Sequence, residues 1–167
     1  YSYRKGKVII MKRIFIDMDG TIAKFNVPNA LRRFATEKGF FRRLGAYKGI
    51  EHINELAKNK EQIYILSASP NMYADLDKKN WLRRYLPNLQ ESQIIICRNG
   101  ENKAKVIERK FNTKITKDFF LLDDYTKNLT DWENAGGTGI KRITTVSDNS
   151  TGKWKGLILK QLEELYI

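Results

Sequence analysis

The chain has 167 residues, of which 41% are hydrophobic and 30% are charged, a composition typical of one globular domain. Its apolar stretches are short and broken by charge, which predicts neither a membrane-spanning helix nor a signal peptide. With one cysteine (Cys97) and one histidine (His52), the chain excludes an intrachain disulfide and a Cys/His zinc site. The sequence therefore predicts a reducing compartment, the cytoplasm, and limits any metal to a hard cation on carboxylates.

The net charge is strongly positive and unevenly distributed. The chain carries +12 in total, and residues 1–60 hold 14 basic and 5 acidic side chains, whereas residues 121–167 hold 6 and 7. A basic half favours a phosphorylated or polyanionic partner, either a nucleotide or a nucleic acid. An unspecific excess of surface lysine and arginine is the alternative.

Predicted elements follow one another in a regular alternation. Residues 1–10 are predicted to be an extension or an added edge strand, and residues 11–167 the core domain. Residues 23–47, rich in aromatic and basic side chains, predict a small cap insertion that serves as a lid. Apolar runs predict strands at 14–16, 63–66, 94–97, 119–122 and 141–146, and periodic patterns predict helices at 27–38, 48–58, 71–86, 102–111, 126–134 and 153–165.

The strands are continuous apolar runs, as expected when both faces of a sheet are buried. Strands that alternate with helices predict an α/β fold: a Rossmann-like parallel five-stranded sheet with helices on both faces. In such open sheets, ligands bind at the carboxyl ends of the strands.

Two acid pairs follow predicted strands at that edge. Asp17 and Asp19 lie in the run DMDGT after the first strand, and alternate residues of an extended chain point the same way, toward one cleft. Gly20 permits a tight turn beyond them. Asp123 and Asp124 follow the fourth strand. A solvated turn is the alternative for each pair, and a helix N-cap is a further alternative for the second. Two pairs at one edge favour a Mg²⁺ site, because a divalent cation relieves repulsion between clustered carboxylates.

A hydroxyl and a lysine complete the predicted cluster. Ser67 ends the second strand, where it can bind a phosphate oxygen or cap the next helix. Lys103 follows the third strand and can neutralise a phosphate or the acids as a point charge. Lys105 competes for that role, and an ordinary surface lysine is the alternative for both.

The order DMDGT, ILS, a lysine and LLDD resembles the four-motif signature of the haloacid dehalogenase-like hydrolase superfamily, over residues 13–124. Within it, the sequence resembles the 5′(3′)-deoxyribonucleotidase group, cytosolic type C, and its bacterial and phage relatives. Three further stretches resemble that group: GFFRRL at 39–44 followed by YKGI at 47–50, NWLRRYL at 80–86, and DDYTKNL at 123–129.

The resemblance implies roles for the predicted residues. Asp17 would be the nucleophile that forms an aspartyl-phosphate, and Asp19 the acid that protonates the leaving oxygen and then activates water. Ser67 and Lys103 would hold the phosphoryl oxygens. Bound Mg²⁺ would contact Asp17, the backbone carbonyl of Asp19, and Asp123 or Asp124. The residues that could stack on a substrate base, with the lid core as the alternative for each, are Phe25, Phe40 and Phe41.

The leading hypothesis is a Mg²⁺-dependent phosphomonoesterase of (deoxy)nucleoside monophosphates, as a monomer or homodimer. The alternatives are a phosphatase of polynucleotide 3′ or 5′ ends, for which a small lid and a basic half leave room, and a small-metabolite phosphatase. A non-catalytic nucleic-acid-binding protein on the same fold is a further alternative, against which the retention of all four motifs argues.

Overall fold

The structure is a computed structural model that describes residues 2–4, 7–9, 11–59 and 62–166. Its main feature is a six-stranded sheet, built entirely of parallel neighbours in the order β5-β4-β3-β6-β7-β8. The strands of this sheet are β3 (Arg13–Ile16), β4 (Ile63–Ser69), β5 (Ile94–Arg98), β6 (Phe119–Asp123), β7 (Thr138–Arg142) and β8 (Lys155–Leu157).

The segment before the sheet is described at two short strands. Strands β1 (Ser2–Arg4) and β2 (Lys7–Ile9) pair with each other in an antiparallel two-stranded sheet of their own. Residues 1, 5, 6 and 10 of the predicted extension lie outside the described residues.

The described residues form five α-helices and three 3₁₀ helices, and the last of these follows the final strand. The α-helices are α1 (Ala30–Arg33), α2 (Ile50–Asn59), α3 (Met72–Tyr85), α4 (Lys103–Phe111) and α5 (Thr126–Asn134). The 3₁₀ helices span Phe41–Arg43, Glu91–Gln93 and Leu159–Tyr166. No helix in the described ranges is long and apolar enough to cross a membrane.

Two apolar cores lie on opposite faces of the sheet. Ile14 and Ile16 of β3 face a core that includes residues of α2, α3, the lid segment and the last 3₁₀ helix. Phe15, between them, faces the other core, which includes residues of α4 and α5. The alternation of side chains along a strand thus produces three layers, with helices on both faces as predicted.

The sequence prediction was wrong in the number of strands of the main sheet, which is six rather than five in the described residues. The last predicted strand, 141–146, begins earlier in the structure, at Thr138, and the predicted helix at 153–165 is instead β8 followed by a 3₁₀ helix. Gly139 and Gly156 obscured both strands, because glycine weakens a strand pattern. Each glycine lies where a Cβ would contact a neighbouring side chain, Trp154 at 2.9 Å for Gly139 and Thr151 at 2.4 Å for Gly156.

The two ends of the predicted lid segment, 23–47, lie side by side where the segment joins the core. Ala23 bridges Ala46 there, and the amide of Tyr47 donates to the carbonyl of Ile22 at 2.9 Å. The helix predicted at 27–38 is limited to α1, because Asn29 has left-handed backbone (φ 56°) and the chain turns again after Phe34. Its role as a lid stays a prediction.

Candidate active site

The carboxyl ends of β3 and β6 lie side by side and bring two acids together. Ile16 of β3 pairs with Leu122 of β6, so the next residues, Asp17 and Asp123, emerge level with each other. The amide of Asp17 continues the ladder by donating to the carbonyl of Leu122 at 2.9 Å. Both acids are buried. The parallel register therefore places both at the same sheet edge.

Lys103, at the start of α4, joins these two acids. Its Nζ donates to Asp17 Oδ1 at 2.6 Å and to Asp123 Oδ2 at 2.8 Å, and its side chain is buried with them. Lys105 is exposed, and its backbone amide donates to Asn102 Oδ1 at 3.1 Å in the helix cap. Of the two competing lysines, Lys103 is therefore the one at the acid cluster.

Burial and charge shift the protonation of this cluster. Burial raises the pKa of Asp17; Lys103 opposes that rise, and the charges of Asp123 and Asp19 add to it. Burial alone would lower the pKa of Lys103, but Asp123 and Asp17 raise it above its ordinary value. The lysine thus stays an ammonium that partly neutralises the acids around it.

Asp19 contacts a second buried lysine, which the sequence analysis missed. Lys78 of α3 has no exposed surface, and its ammonium pairs with Asp19 Oδ2. The same Nζ donates to Ser67 Oγ at 2.9 Å and to the carbonyl of Ala68 at 2.6 Å, and lies 4.3 Å from the ring centroid of Phe41. Lys78 therefore connects the second acid of DMDGT to the serine that ends the ILS motif.

A signal for Lys78 exists in the sequence, although a weak one. Ala74, Lys78 and Trp81 follow the i, i+4, i+7 spacing of one helix face, and all three are buried. A lysine at an apolar-face position is the only local sign that its charge points inward.

The turn after Asp19 depends on glycine. Gly20 has φ +77°, and a Cβ there would lie 2.2 Å from Asp124 Oδ2. The next residue, Thr21, has its Oγ1 at 3.4 Å from both Asp17 Oδ2 and Asp124 Oδ1, and accepts from the amide of Asp124 at 3.2 Å. The glycine thus lets the DMDGT loop approach Asp124 closely.

Three carboxylates form a group that suits a hard cation. Oxygens of Asp17, Asp123 and Asp124 all lie within 4.8 Å of one another. Asp123 also accepts from the amide of Tyr125 and from Asn128 Nδ2, both at 2.8 Å, which fixes its carboxylate. Several carboxylate oxygens with an exposed member that leaves room for water are the donors that Mg²⁺ prefers. The residues present therefore fit a Mg²⁺ ion.

Asp124 is the solvent-facing member of the group. Although more than a third of the residue is exposed, the protein around its carboxyl group and the charge of Asp123 raise its pKa to about 6. The carboxylate of Asp19 does not belong to the group, because it pairs with Lys78. This leaves only the Asp19 carbonyl as the metal contact that the resemblance implies for that residue.

The three phenylalanines proposed for base stacking pack against each other. Phe40 and Phe41 are buried with ring centroids 5.1 Å apart, and Phe25 lies 5.8 and 6.3 Å from them. Phe34 joins the same cluster. For Phe40 and Phe41 the arrangement favours the lid-core alternative, whereas Phe25 keeps some exposed surface and stacking by it stays a prediction.

A family model matches residues 20–149, most of the chain, and describes the "5′ nucleotidase, deoxy (Pyrimidine), cytosolic type C protein" family. The chain belongs to this family. Its fold and motifs are those of a haloacid dehalogenase-like hydrolase, as the motif order predicted. No protein in the curated set that was compared matches the chain.

Solved structures similar to this nucleotidase-family chain include hydrolases and phosphatases of low sequence identity. A D,D-heptose bisphosphate phosphatase from B. bronchiseptica, complexed with magnesium and phosphate, has 14% identity and a TM-score of 0.65, with 93% of this chain and 98% of that one covered. A HAD-superfamily hydrolase from Ehrlichia chaffeensis has 9% identity and a TM-score of 0.56, with 89% and 93% covered. One chain of the Pnkp1/Rnl/Hen1 RNA repair complex has 17% identity and a TM-score of 0.53, with 84% of this chain and 45% of that one covered. At these identities the similarity shows the fold alone.

Proposed function

We propose that the protein is a Mg²⁺-dependent phosphomonoesterase that dephosphorylates (deoxy)nucleoside monophosphates through an aspartyl-phosphate. The observation that carries this proposal is that Asp17 and Asp19 have different partners at the sheet edge. Asp17 lies with Lys103 in the carboxylate group, whereas Asp19 lies apart, with Lys78 and Ser67. The proposed nucleophile, Asp17, and the proposed proton donor, Asp19, are only two residues apart in the chain but contact different side chains.

The first step follows from these positions. The Asp17 carboxylate attacks phosphorus, the ester P–O bond breaks, and the carboxyl group of Asp19 gives its proton to the leaving oxygen. Ser67 and Lys103 contact the phosphoryl oxygens and take up the charge that develops on them. Asp17, Asp123 and Asp124 would hold Mg²⁺, whose charge offsets repulsion between the carboxylate and the phosphate.

The second step returns the site to its starting state. Asp19, now ionised, accepts a proton from a water molecule as that water attacks phosphorus. The bond between phosphorus and the Asp17 oxygen breaks, inorganic phosphate leaves, and Asp19 is protonated again. Lys78 is a positioning residue in this scheme, since its ammonium holds Asp19 beside Ser67.

Membership of the deoxynucleotidase family supports a nucleoside monophosphate as the substrate.

A second candidate substrate, the phosphorylated end of a polynucleotide, is favoured by the positive charge of the lid segment. Within 23–47 the one acid, Glu37, is engaged by Arg33 and Arg43. The exposed basic side chains that remain are Lys24, Arg32, Lys38 and Arg42. One similar structure belongs to an RNA repair complex.

The test is phosphate release from ribo- and deoxynucleoside 5′- and 3′-monophosphates, sugar phosphates and end-phosphorylated oligonucleotides, with Mg²⁺ or with EDTA. We expect Mg²⁺-dependent release from deoxynucleoside monophosphates, abolished in Asp17→Asn. Asp118→Asn is the matched control, because Asp118 lies at the opposite end of β6, and we expect it to be fully active. Turnover by Asp17→Asn within about tenfold of the wild type would contradict the nucleophile assignment.

Salt dependence separates the two substrate classes. A polynucleotide held through several phosphates binds far more weakly as ionic strength rises, whereas a mononucleotide with one phosphate responds much less. A steep salt dependence of kcat/KM on an oligonucleotide, reduced in Arg42→Gln, would favour polynucleotide ends. A flat dependence together with a preference for mononucleotides supports the leading proposal.

A further inference from the structure

Arg142, the last residue of β7, contacts the loop that contains the DMDGT motif. Its side chain is buried, and its Nε donates to the backbone carbonyl of Thr21 at 2.7 Å. β7 runs parallel to β6, with Lys141 level with Asp123, so this end of β7 lies at the same sheet edge as the acid cluster. None of the chemical steps proposed above uses Arg142.

Packing alone does not explain a buried arginine at this position. An ion in the protein interior costs several kcal/mol, and replacing buried ionic groups with well-packed apolar side chains is often neutral or stabilising. Arg142 Nη1 is buried and has no acceptor among the described residues, so hydrogen bonds offset the cost of this guanidinium only in part. The cost of Arg142 to stability therefore points to a role at the site.

Thr21 connects Arg142 to the carboxylate group. Thr21 has no exposed surface, and its Oγ1 lies 3.4 Å from both Asp17 Oδ2 and Asp124 Oδ1. The same Oγ1 accepts from the amide of Asp124 at 3.2 Å. Asp17 and Asp124 are two of the three acids that could hold a cation. A shift of the Thr21 backbone would therefore disturb contacts with both of them.

Arg142 also contacts the end of the lid segment. The Arg142 Cζ lies 5.0 Å from the ring centroid of Tyr47, the last residue of that segment. The amide of Tyr47 donates to the carbonyl of Ile22, the residue after Thr21, at 2.9 Å. The guanidinium thus contacts both the DMDGT loop and the lid segment where these two are joined, which limits movement of the loop.

We propose that Arg142 is a positioning residue for the metal site, which holds the DMDGT loop so that Asp17 and Asp124 are correctly spaced before Mg²⁺ binds. This inference rests on the Mg²⁺ site of the proposed function. An effect of charge alone would have the opposite sign, because a guanidinium repels a divalent cation and its removal would strengthen Mg²⁺ binding. The direction of the change in affinity therefore distinguishes positioning from charge.

The first test is the binding of Mg²⁺ to metal-free protein, measured by isothermal titration calorimetry without substrate. We expect Arg142→Met to raise the Kd for Mg²⁺ by about tenfold or more, as is usual when a group that orients metal ligands is lost. Arg142→Lys, which keeps the charge and a donor, should lie closer to the wild type. If Arg142→Met does not fold, Arg142→Gln takes its place, with the same direction expected.

Arg13→Met is the matched control. Arg13 resembles Arg142 in having a buried Nη1 without an acceptor among the described residues and an aromatic contact, with its Cζ 4.8 Å from the ring centroid of Phe111. It differs in position, because it begins β3 at the end opposite to Asp17. We expect Arg13→Met to bind Mg²⁺ as the wild type does.

The second test measures the loop itself, without Mg²⁺. Amide hydrogen exchange in a peptide that covers residues 17–24 should be several-fold faster in Arg142→Met than in the wild type, and unchanged in Arg13→Met. Circular dichroism of both variants should match that of the wild type. Faster exchange confined to this loop would support a positioning role, which a general loss of stability would not reproduce.

Unchanged or tighter binding of Mg²⁺ by Arg142→Met overturns the proposal, and so does unchanged exchange in the loop. An equal loss of affinity in Arg13→Met also overturns it, because the effect would then not depend on contact with Thr21. A wild type that binds no Mg²⁺ overturns this inference together with the metal site. A wild type that binds Mg²⁺ but releases no phosphate contradicts the proposed function alone, and the effects of Arg142→Met on binding and exchange would still support the positioning role.

Discussion

Lys78 places an ammonium group in the interior, where a charge without partners costs several kcal/mol. Three acceptors and the face of the Phe41 ring offset that cost, and two of the acceptors, Asp19 and Ser67, are proposed site residues. The charge therefore acts on the geometry of the proposed acid as well as on the packing of α3.

We predict that Lys78→Met lowers kcat by about 100-fold, because Asp19 loses the group that positions it. The matched control is Lys79→Met, which removes the neighbouring lysine from a surface ion pair with Glu91 and should leave kcat unchanged. The measurement is kcat on esters with good and poor leaving groups. The loss should be greater for poor leaving groups, since these depend most on a proton donor. An equal loss on both would leave Lys78 with a structural role only.

The other site residues could be predicted from the sequence because each follows an apolar strand in a motif. Asp17 and Asp123 come together through the parallel register of β3 and β6, and Lys103 reaches both from the start of α4. Lys78 could not be found in the same way, because it lies in mid-helix beside another lysine. Its position on the buried face of α3 is a weak signal, and its partners are supplied by β4 and by the DMDGT loop, so tertiary structure is needed to distinguish it clearly from a solvated residue.

At the scale of elements, the sequence predicted four strands from their apolar runs, at 14–16, 63–66, 94–97 and 119–122, and misplaced the fifth. The prediction for β7 began at Lys141, whereas the strand ends at Arg142, and both of these charged residues are buried. Lys141 donates to the carbonyl of Asp124, and Arg142 Nε donates to the carbonyl of Thr21 at 2.7 Å. Residues distant in the chain supply both acceptors. The sequence alone does not show these acceptors, and the prediction carried the strand past Arg142 to Val146.

The junction between the lid and α2 depends on close packing at a glycine. Gly49 has φ +94°, and a Cβ there would lie 3.0 Å from the Leu159 Cβ and 3.3 Å from the Lys160 amide nitrogen. We predict that Gly49→Ala lowers the free energy of unfolding by about 2 to 4 kcal/mol, the sum of backbone strain and overpacking against the last 3₁₀ helix.

Gly100 provides the control for that prediction. It has a similar φ of +86° but nothing within 4 Å of the position of a Cβ, so Gly100→Ala isolates the backbone strain, about 1 kcal/mol. The measurement is urea unfolding of both variants beside the wild type. Equal losses in the two variants would mean that contact with the last 3₁₀ helix contributes nothing at Gly49.

At the scale of the whole molecule, opposite charges are segregated. The chain carries +12, and the lid segment is basic, yet three carboxylates gather within 4.8 Å of one another at the sheet edge. The positive net charge can be counted from the sequence, and the motifs predicted the two acid pairs. The repulsion that the acid group imposes on the fold could be recognised only from the distances, because it depends on how closely the loops after β3 and β6 approach.

That repulsion leads to a prediction for stability that does not depend on activity. A cation that binds the three carboxylates stabilises the folded state by about 2.7 kcal/mol at a hundred times its Kd. For a chain of this size such a gain raises Tm by roughly 5 to 10 °C. We therefore expect Mg²⁺ to raise Tm in differential scanning calorimetry, and NaCl of equal ionic strength to leave it unchanged. Asp124→Asn, which removes the solvent-facing member of the group, should reduce the shift to less than half, whereas Asp118→Asn should keep it. If both variants respond to Mg²⁺ as the wild type does, the ion binds elsewhere, and the carboxylate group is not its site.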